Sequence, residues 1–96
     1  MSMISLCYKA NYLKHGEFQV NEAIQRKKAK LVIIAEDASE NTKIKTRAVA
    51  DKHKIDVLEY ADKYTLGRII GKEERSLLAV CDSGFADKIW LLYKEA

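Results

Sequence analysis

The stretch Ala29-Lys30-Leu31-Val32-Ile33-Ile34-Ala35-Glu36-Asp37-Ala38-Ser39 decides the fold. An apolar run rich in Ile and Val rises out of basic residues and stops at two acids. That length and branching predict a strand buried on both faces. Such a strand needs helices above and below its sheet. Ser39-Glu40-Asn41-Thr42 follows with capping residues for the first of them. In open α/β sheets, ligands gather at carboxyl-end turns of this kind.

Working outward, Asn41 to Lys54 reads as a helix with Ile44, Ala48 and Val49 toward the core. Its outer face is basic, with Lys43, Lys45, Arg47, Lys52 and Lys54. Asp56 to Tyr60 alternates polar and apolar residues as a second strand does. Asp62 can cap a short helix from Lys63 to Ile70, in which Leu66, Ile69 and Ile70 are apolar and Gly71 is the stop. Gly67 and Gly71 match Gly-x-x-x-Gly, which in a charged segment means close packing or a helix stop. Lys72 to Arg75 is a charged loop, and Leu77 to Cys81 a further buried strand. Asp82-Ser83-Gly84 opens a last helix with two apolar stripes, one of Phe85, Ile89 and Leu92 and one of Ala86, Trp90 and Tyr93.

Upstream, Ser2 to Leu13 reads as a helix with Leu6, Ala10 and Leu13 on one face and Ile4 and Cys7 beside it. His15-Gly16 ends it. A second helix from Glu17 to Lys27 turns Val20, Ala23 and Ile24 inward. Strand–helix alternation after two helices predicts an α/β fold. Its form is a three-layer α/β/α sandwich with a small, mainly parallel mixed sheet of three to four strands and helices on both faces. At 96 residues the chain is one domain, 1–96.

Apolar residues make up 48% and charged residues 32%, the balance of a globular protein. No apolar run is long enough to span a bilayer, and Met1 to Tyr12 lacks the pattern of a signal peptide, so no membrane partner and a cytoplasmic location are expected. The net charge of +3 permits nucleic-acid binding without requiring it. Cys7 and Cys81 fall on core positions and are expected to be reduced and inert, and no Cys or His spacing suggests a metal or other cofactor. His15 and His53 read as surface residues. No nucleophile has a base and an orienting acid at a telling spacing, so no enzyme is expected.

Two blocks carry a resemblance. Lys28-Ala29-Lys30-Leu31-Val32-Ile33-Ile34-Ala35-Glu36-Asp37-Ala38 and Leu66-Gly67-Arg68-Ile69-Ile70-Gly71 resemble the kink-turn RNA-binding ribosomal-protein superfamily, often called the L-seven-Ae type. Glu36 to Thr42, Leu66 to Lys72 and Asp82-Ser83-Gly84-Phe85-Ala86 look most like its bacterial YlxQ-like branch. The resemblance covers about 16–89 and implies the same sandwich fold.

The resemblance also implies a non-enzymatic, ribosome-associated protein that recognises structured, kink-turn-like RNA. The superfamily signature, Gly-Thr-Asn-Glu with Lys three residues on, falls on Gly16, Glu17, Phe18 and Gln19 with Glu22. Gly16 matches outright and Gln19 can still hydrogen-bond a base edge. Phe18 stands for Asn and could stack on a base or pack inward, while Glu17 and Glu22 place acids where the family has Thr and Lys. The implied RNA-binding residues are Gly16, Glu17, Gln19, Arg26, Lys27, Lys28, Glu36, Lys72, Glu74 and Arg75, with weak binding because the signature is degraded. Glu36 and Asp37 read equally as RNA contacts or as caps of the helix that follows. The alternative is a protein-interaction module of a translation or transcription complex that has lost specific RNA recognition.

Overall fold

The computed structural model describes residues 2–94. Its elements are α1 (Met3–Lys9), β1 (Leu13–His15), α2 (Glu17–Gln25), β2 (Leu31–Ile34), α3 (Glu40–Lys52), β3 (Asp56–Glu59), α4 (Lys63–Ile69), β4 (Leu77–Val80) and α5 (Ser83–Tyr93). The strand order is β1-β4-β2-β3. Helices cover both faces of this sheet, so every residue of β2 and β4 is buried. That is the burial the Leu31–Ile34 run predicts.

The sheet is mixed, but β2–β3 is its one parallel pairing. β4 runs antiparallel to both β2 and β1, so the expected parallel majority does not form. The chain's path between β3 and β4 explains this. A parallel β4 would require a return along the full length of the sheet, whereas α4 covers only roughly 10 Å. The segment after α4 then folds back on the helix: the Lys72 N–H donates to the Gly67 carbonyl at 2.8 Å and the Arg75 N–H to that of Lys63 at 3.0 Å. β4 therefore begins at the end where β2 and β3 finish.

The N-terminal reading needs correction. α1 stops at Lys9, because Asn11 takes a left-handed backbone (φ 66°) and the Tyr12 N–H closes the turn on the Cys7 carbonyl. Leu13 is a core residue of an edge strand, not of a helix face, and Ile4 and Cys7 rather than Leu6 fill the core. His15 lies on that strand, and Gly16 starts a helix instead of ending one.

Two other core faces differ from the periodicity. In α3, Ile44 is 63% exposed and Ala48 is also exposed, while Thr46 and Ala50 are buried. In α5, Ala86 and Ile89 are buried and Leu92 is exposed. The caps expected at Ser39 and Asp62 form, and Asp82 caps α5 as well. The side chains of Ser39, Asp62 and Asp82 accept the backbone N–H of Thr42, Thr65 and Phe85. Cys7 is buried and Cys81 half-buried, both free thiols. Burial, then nearby Cys81 and Asp82, pushes the Cys7 thiol up to about 12, where it is unreactive at neutral pH. Among the described residues, no helix is long and apolar enough to cross a membrane.

Candidate nucleic-acid interface

Parallel β2 and β3 finish at the same end of the sheet at which β1 finishes and β4 begins. There Gly16 turns the chain from β1 into α2 with φ 85°, a conformation that excludes other residues without strain. Its N–H donates to the Leu77 carbonyl at 3.0 Å, which ties the start of α2 to the start of β4. Among the described residues no side chain caps α2, so its first-turn amides keep the partial positive charge of a helix start. Gln19 folds back, its Oε1 accepting the His15 N–H at 3.3 Å.

The 71–76 segment arrives against this turn. Gly16, Glu17, Glu74 and Arg75 share a groove of about 210 Å3 with Thr42, Ser76 and Leu77. Four of the expected residues thus meet although they lie far apart in sequence. Arg75 is the organising side chain. Its Nε donates to His15 Nδ1 at 3.1 Å, and its Nη1 to the carbonyls of Glu74 and Glu73 at 2.9 and 3.3 Å. The His15 ring in turn meets Tyr8 edge-on. Lys72 is exposed on the same loop.

A second, larger groove of about 700 Å3 continues from the first between α2 and α3, sharing Glu17 and Leu77. Phe18 stands at its mouth, 78% exposed, so it does not pack inward. Val20, Ile24 and Val49 form apolar walls, and Lys45 adds a cation.

The remaining expected residues lie elsewhere. Arg26, Lys27 and Lys28 follow the far end of α2, roughly 15 Å along its axis from Gly16, and share no groove with it. Glu36 stands at the correct end but lines neither groove. Its N–H donates to the Ala61 carbonyl at 2.8 Å and its carbonyl accepts Lys43 Nζ at 2.7 Å. Asp37 caps α4 rather than α3, its Oδ1 accepting the Lys63 N–H at 2.9 Å. The basic face of α3 is also partly committed. Lys43 and Arg47 both pair with Glu59, and the Arg47 hydrogen bond holds that carboxyl below its usual range.

Sequence reading missed His15, Thr42 and Ser76. His15 meets Arg75, 60 residues away, Thr42 and Ser76 meet Gly16 only in the folded groove, and Leu13-Lys14-His15 is too short to distinguish from a helix end. His15 leads to a pH prediction. Burial, then the positive charges of Arg75, Lys72 and Lys14, holds it below its ordinary 6.5. The unfolded chain therefore takes the proton first, and the stability linked to His15 is present above pH 6.5 and lost as pH falls through the lower folded value. His15→Asn keeps an acceptor for Arg75 but cannot titrate. In chemical unfolding from about pH 7 to about pH 5, wild type should lose stability that the variant keeps. Parallel pH profiles would remove His15 from this role.

Comparison with known proteins bears on this interface. The ribosomal protein L7Ae/L30e/S12e/Gadd45 family model matches residues 1–89. The chain is 38% identical over 87 residues to the RNA-binding protein YlxQ of Bacillus subtilis (strain 168), covering 91% of this chain and 87% of that one. It is 35% identical over 88 residues to the RNA-binding protein YlxQ of Enterococcus faecium, covering 92% and 84%. A solved structure of a protein of unknown function from Bacillus halodurans superposes with a TM-score of 0.90 at 37% identity, covering 94% of this chain and 91% of that chain.

Proposed function

We infer that this chain, which belongs to the ribosomal protein L7Ae/L30e/S12e/Gadd45 family, is a non-enzymatic RNA-binding protein. The RNA it takes is structured and kinked, and it meets the start of α2 and the 71–76 loop. One observation carries this reading: the glycine turn into α2 and the Glu74–Arg75 loop, 58 or more residues apart in sequence, form one groove. Uncapped amides at a helix start attract phosphate, and unstacked bases of a kinked RNA offer edges to polar side chains. Phe18 supplies a face on which such a base can stack.

Glu17 and Glu74 oppose phosphate at this end, so the affinity is modest and the specificity lies in shape. A role on the ribosome follows naturally for such a protein. The second reading, a protein-interaction module of a translation or transcription complex, is favoured by the apolar groove beside Phe18, which would also accept a partner's side chains.

Titration of the full chain with a kink-turn RNA and with an unkinked duplex of equal length, at about 50 and about 200 mM salt, separates the two readings. Tighter binding of the kinked RNA that survives the higher salt is the expected result. Equal binding that fades with salt would leave the first groove to a protein partner.

A further inference from the structure

At the end of the domain opposite the Gly16 groove, the chain carries a different surface. α2 and α3 both finish there, and β2 and β3 both begin there. A groove of about 660 Å3 opens between these ends, lined by Lys27, Lys30, Lys52, Lys54 and His53 over an apolar floor of Ala29 and Ile55. Among the described residues, no Asp or Glu lines it. Among the described residues, none of the four lysines makes an ion pair; Asp51 and Asp56 stand nearby in sequence but pair with none of them. Lys45, Lys43 and Arg47 lie elsewhere on α3, the latter two already held by Glu59.

The backbone makes this arrangement more than scattered surface charge. Lys27 (φ 61°) and Lys54 (φ 58°) both occupy the left-handed position just past a helix end, where glycine is the unstrained choice. Two helices thus end with the same uncommon residue, and both lysines project from the same groove. Each turn is closed by backbone bonds, Lys28 N–H to the Ala23 carbonyl at 2.9 Å and Ile55 N–H to the Ala50 carbonyl at 2.8 Å. Attraction of cations to helix C-termini explains basic residues in such turns, but not a shared groove of four lysines without an acid.

We propose that this groove is a second RNA-binding surface, separate from the first, which holds the phosphate backbone of an RNA helix through Lys27, Lys30, Lys52 and Lys54. It reads charge and not sequence, and it rests on the RNA-binding function inferred above. With the first groove at the other end of a molecule whose longest extent is 32 Å, two segments of one folded RNA can be held at once.

The test is a salt-dependent titration of a kink-turn RNA and a plain RNA duplex by the full chain and three variants. K27Q/K30Q/K52Q/K54Q removes the surface. K27G/K54G removes two charges while relieving both left-handed positions, so it stays folded. K88Q/K94Q removes two exposed lysines from α5 and its end. For the duplex, the slope of log affinity against log salt should fall by about 3 in the quadruple variant and by about 1.5 in K27G/K54G, the latter weakening binding roughly thirty-fold at about 0.1 M salt. K88Q/K94Q should change little. Equal losses in the two double variants would reduce the effect to net charge and overturn the proposal, as would an unchanged quadruple variant. Equal, lysine-dependent binding of poly-glutamate would reassign the groove to an acidic protein. Lysine-dependent duplex binding without kink preference would sink kink recognition while this surface stands, and wild type that binds neither RNA would end both.

Discussion

Gly67→Ala should both destabilise the domain and abolish binding at the first groove. A Cβ on Gly67 would sit 1.9 Å from the Glu73 carbonyl oxygen, 2.6 Å from its carbon and 3.0 Å from Glu74 Cα. All three are backbone atoms, so no rotamer change relieves the clash, and the loop itself must move. That loop is held to α4 at both ends, by Lys72 to Gly67 and by Arg75 to Lys63. Alanine favours the helix by about 1 kcal/mol. Overpacking against rigid backbone costs about 3 kcal/mol, so the net loss is about 2 kcal/mol. The displaced segment carries Glu74 and Arg75, so the groove with Gly16 opens and the His15–Arg75 bond breaks. Urea unfolding and RNA titration of the same variant check both halves. Unchanged stability and unchanged affinity would mean that the loop does not form the interface.

The pair Glu17→Thr with Glu22→Lys should act in the opposite direction. It restores the residue types that the resemblance places at these positions and turns two repulsive charges to neutral and attractive. The cost to the fold is small. Glu22 pairs with Arg26 at 3.8 Å across two largely exposed side chains, a contact worth little in water. Loss of Glu17 at the start of α2 removes about 0.5 kcal/mol of favourable dipole interaction. Kink-turn RNA should bind roughly a hundred-fold tighter at moderate salt, with a much smaller gain for duplex. An equal gain for both RNAs would show that charge alone changed, and no gain for either would favour the protein-interaction reading.

These variants draw on different levels of information. The Glu17 and Glu22 positions are visible in sequence because the glycine turn and the helix that follows it are local. The lethal closeness at Gly67 is not, since Gly-x-x-x-Gly states that something approaches but not what. In the structure it is the carbonyl of Glu73, in the loop that builds the groove.

The sequence by itself determined the buried strands Leu31–Ile34 and Leu77–Val80, the caps at Ser39 and Asp62, and the inward face of α2. Each depends on residues within a few positions of one another, through apolar run length or a side chain reaching its own helix start. It also carried the family resemblance, which rests on those same local blocks. Tertiary structure alone decided that Leu13–His15 is a strand, because three residues become one only by pairing with Leu78–Val80. It chose the rotation of α3, where Thr46, Val49 and Ala50 form as regular a stripe as Ile44 and Ala48 and are the residues that the assembled fold buries, Val49 in part. And it split the expected RNA site in two, because a nine-residue helix carries the Arg26–Lys28 run away from Gly16 by its own length. Helix length was readable; which ends of which helices meet is set only when the sheet is assembled.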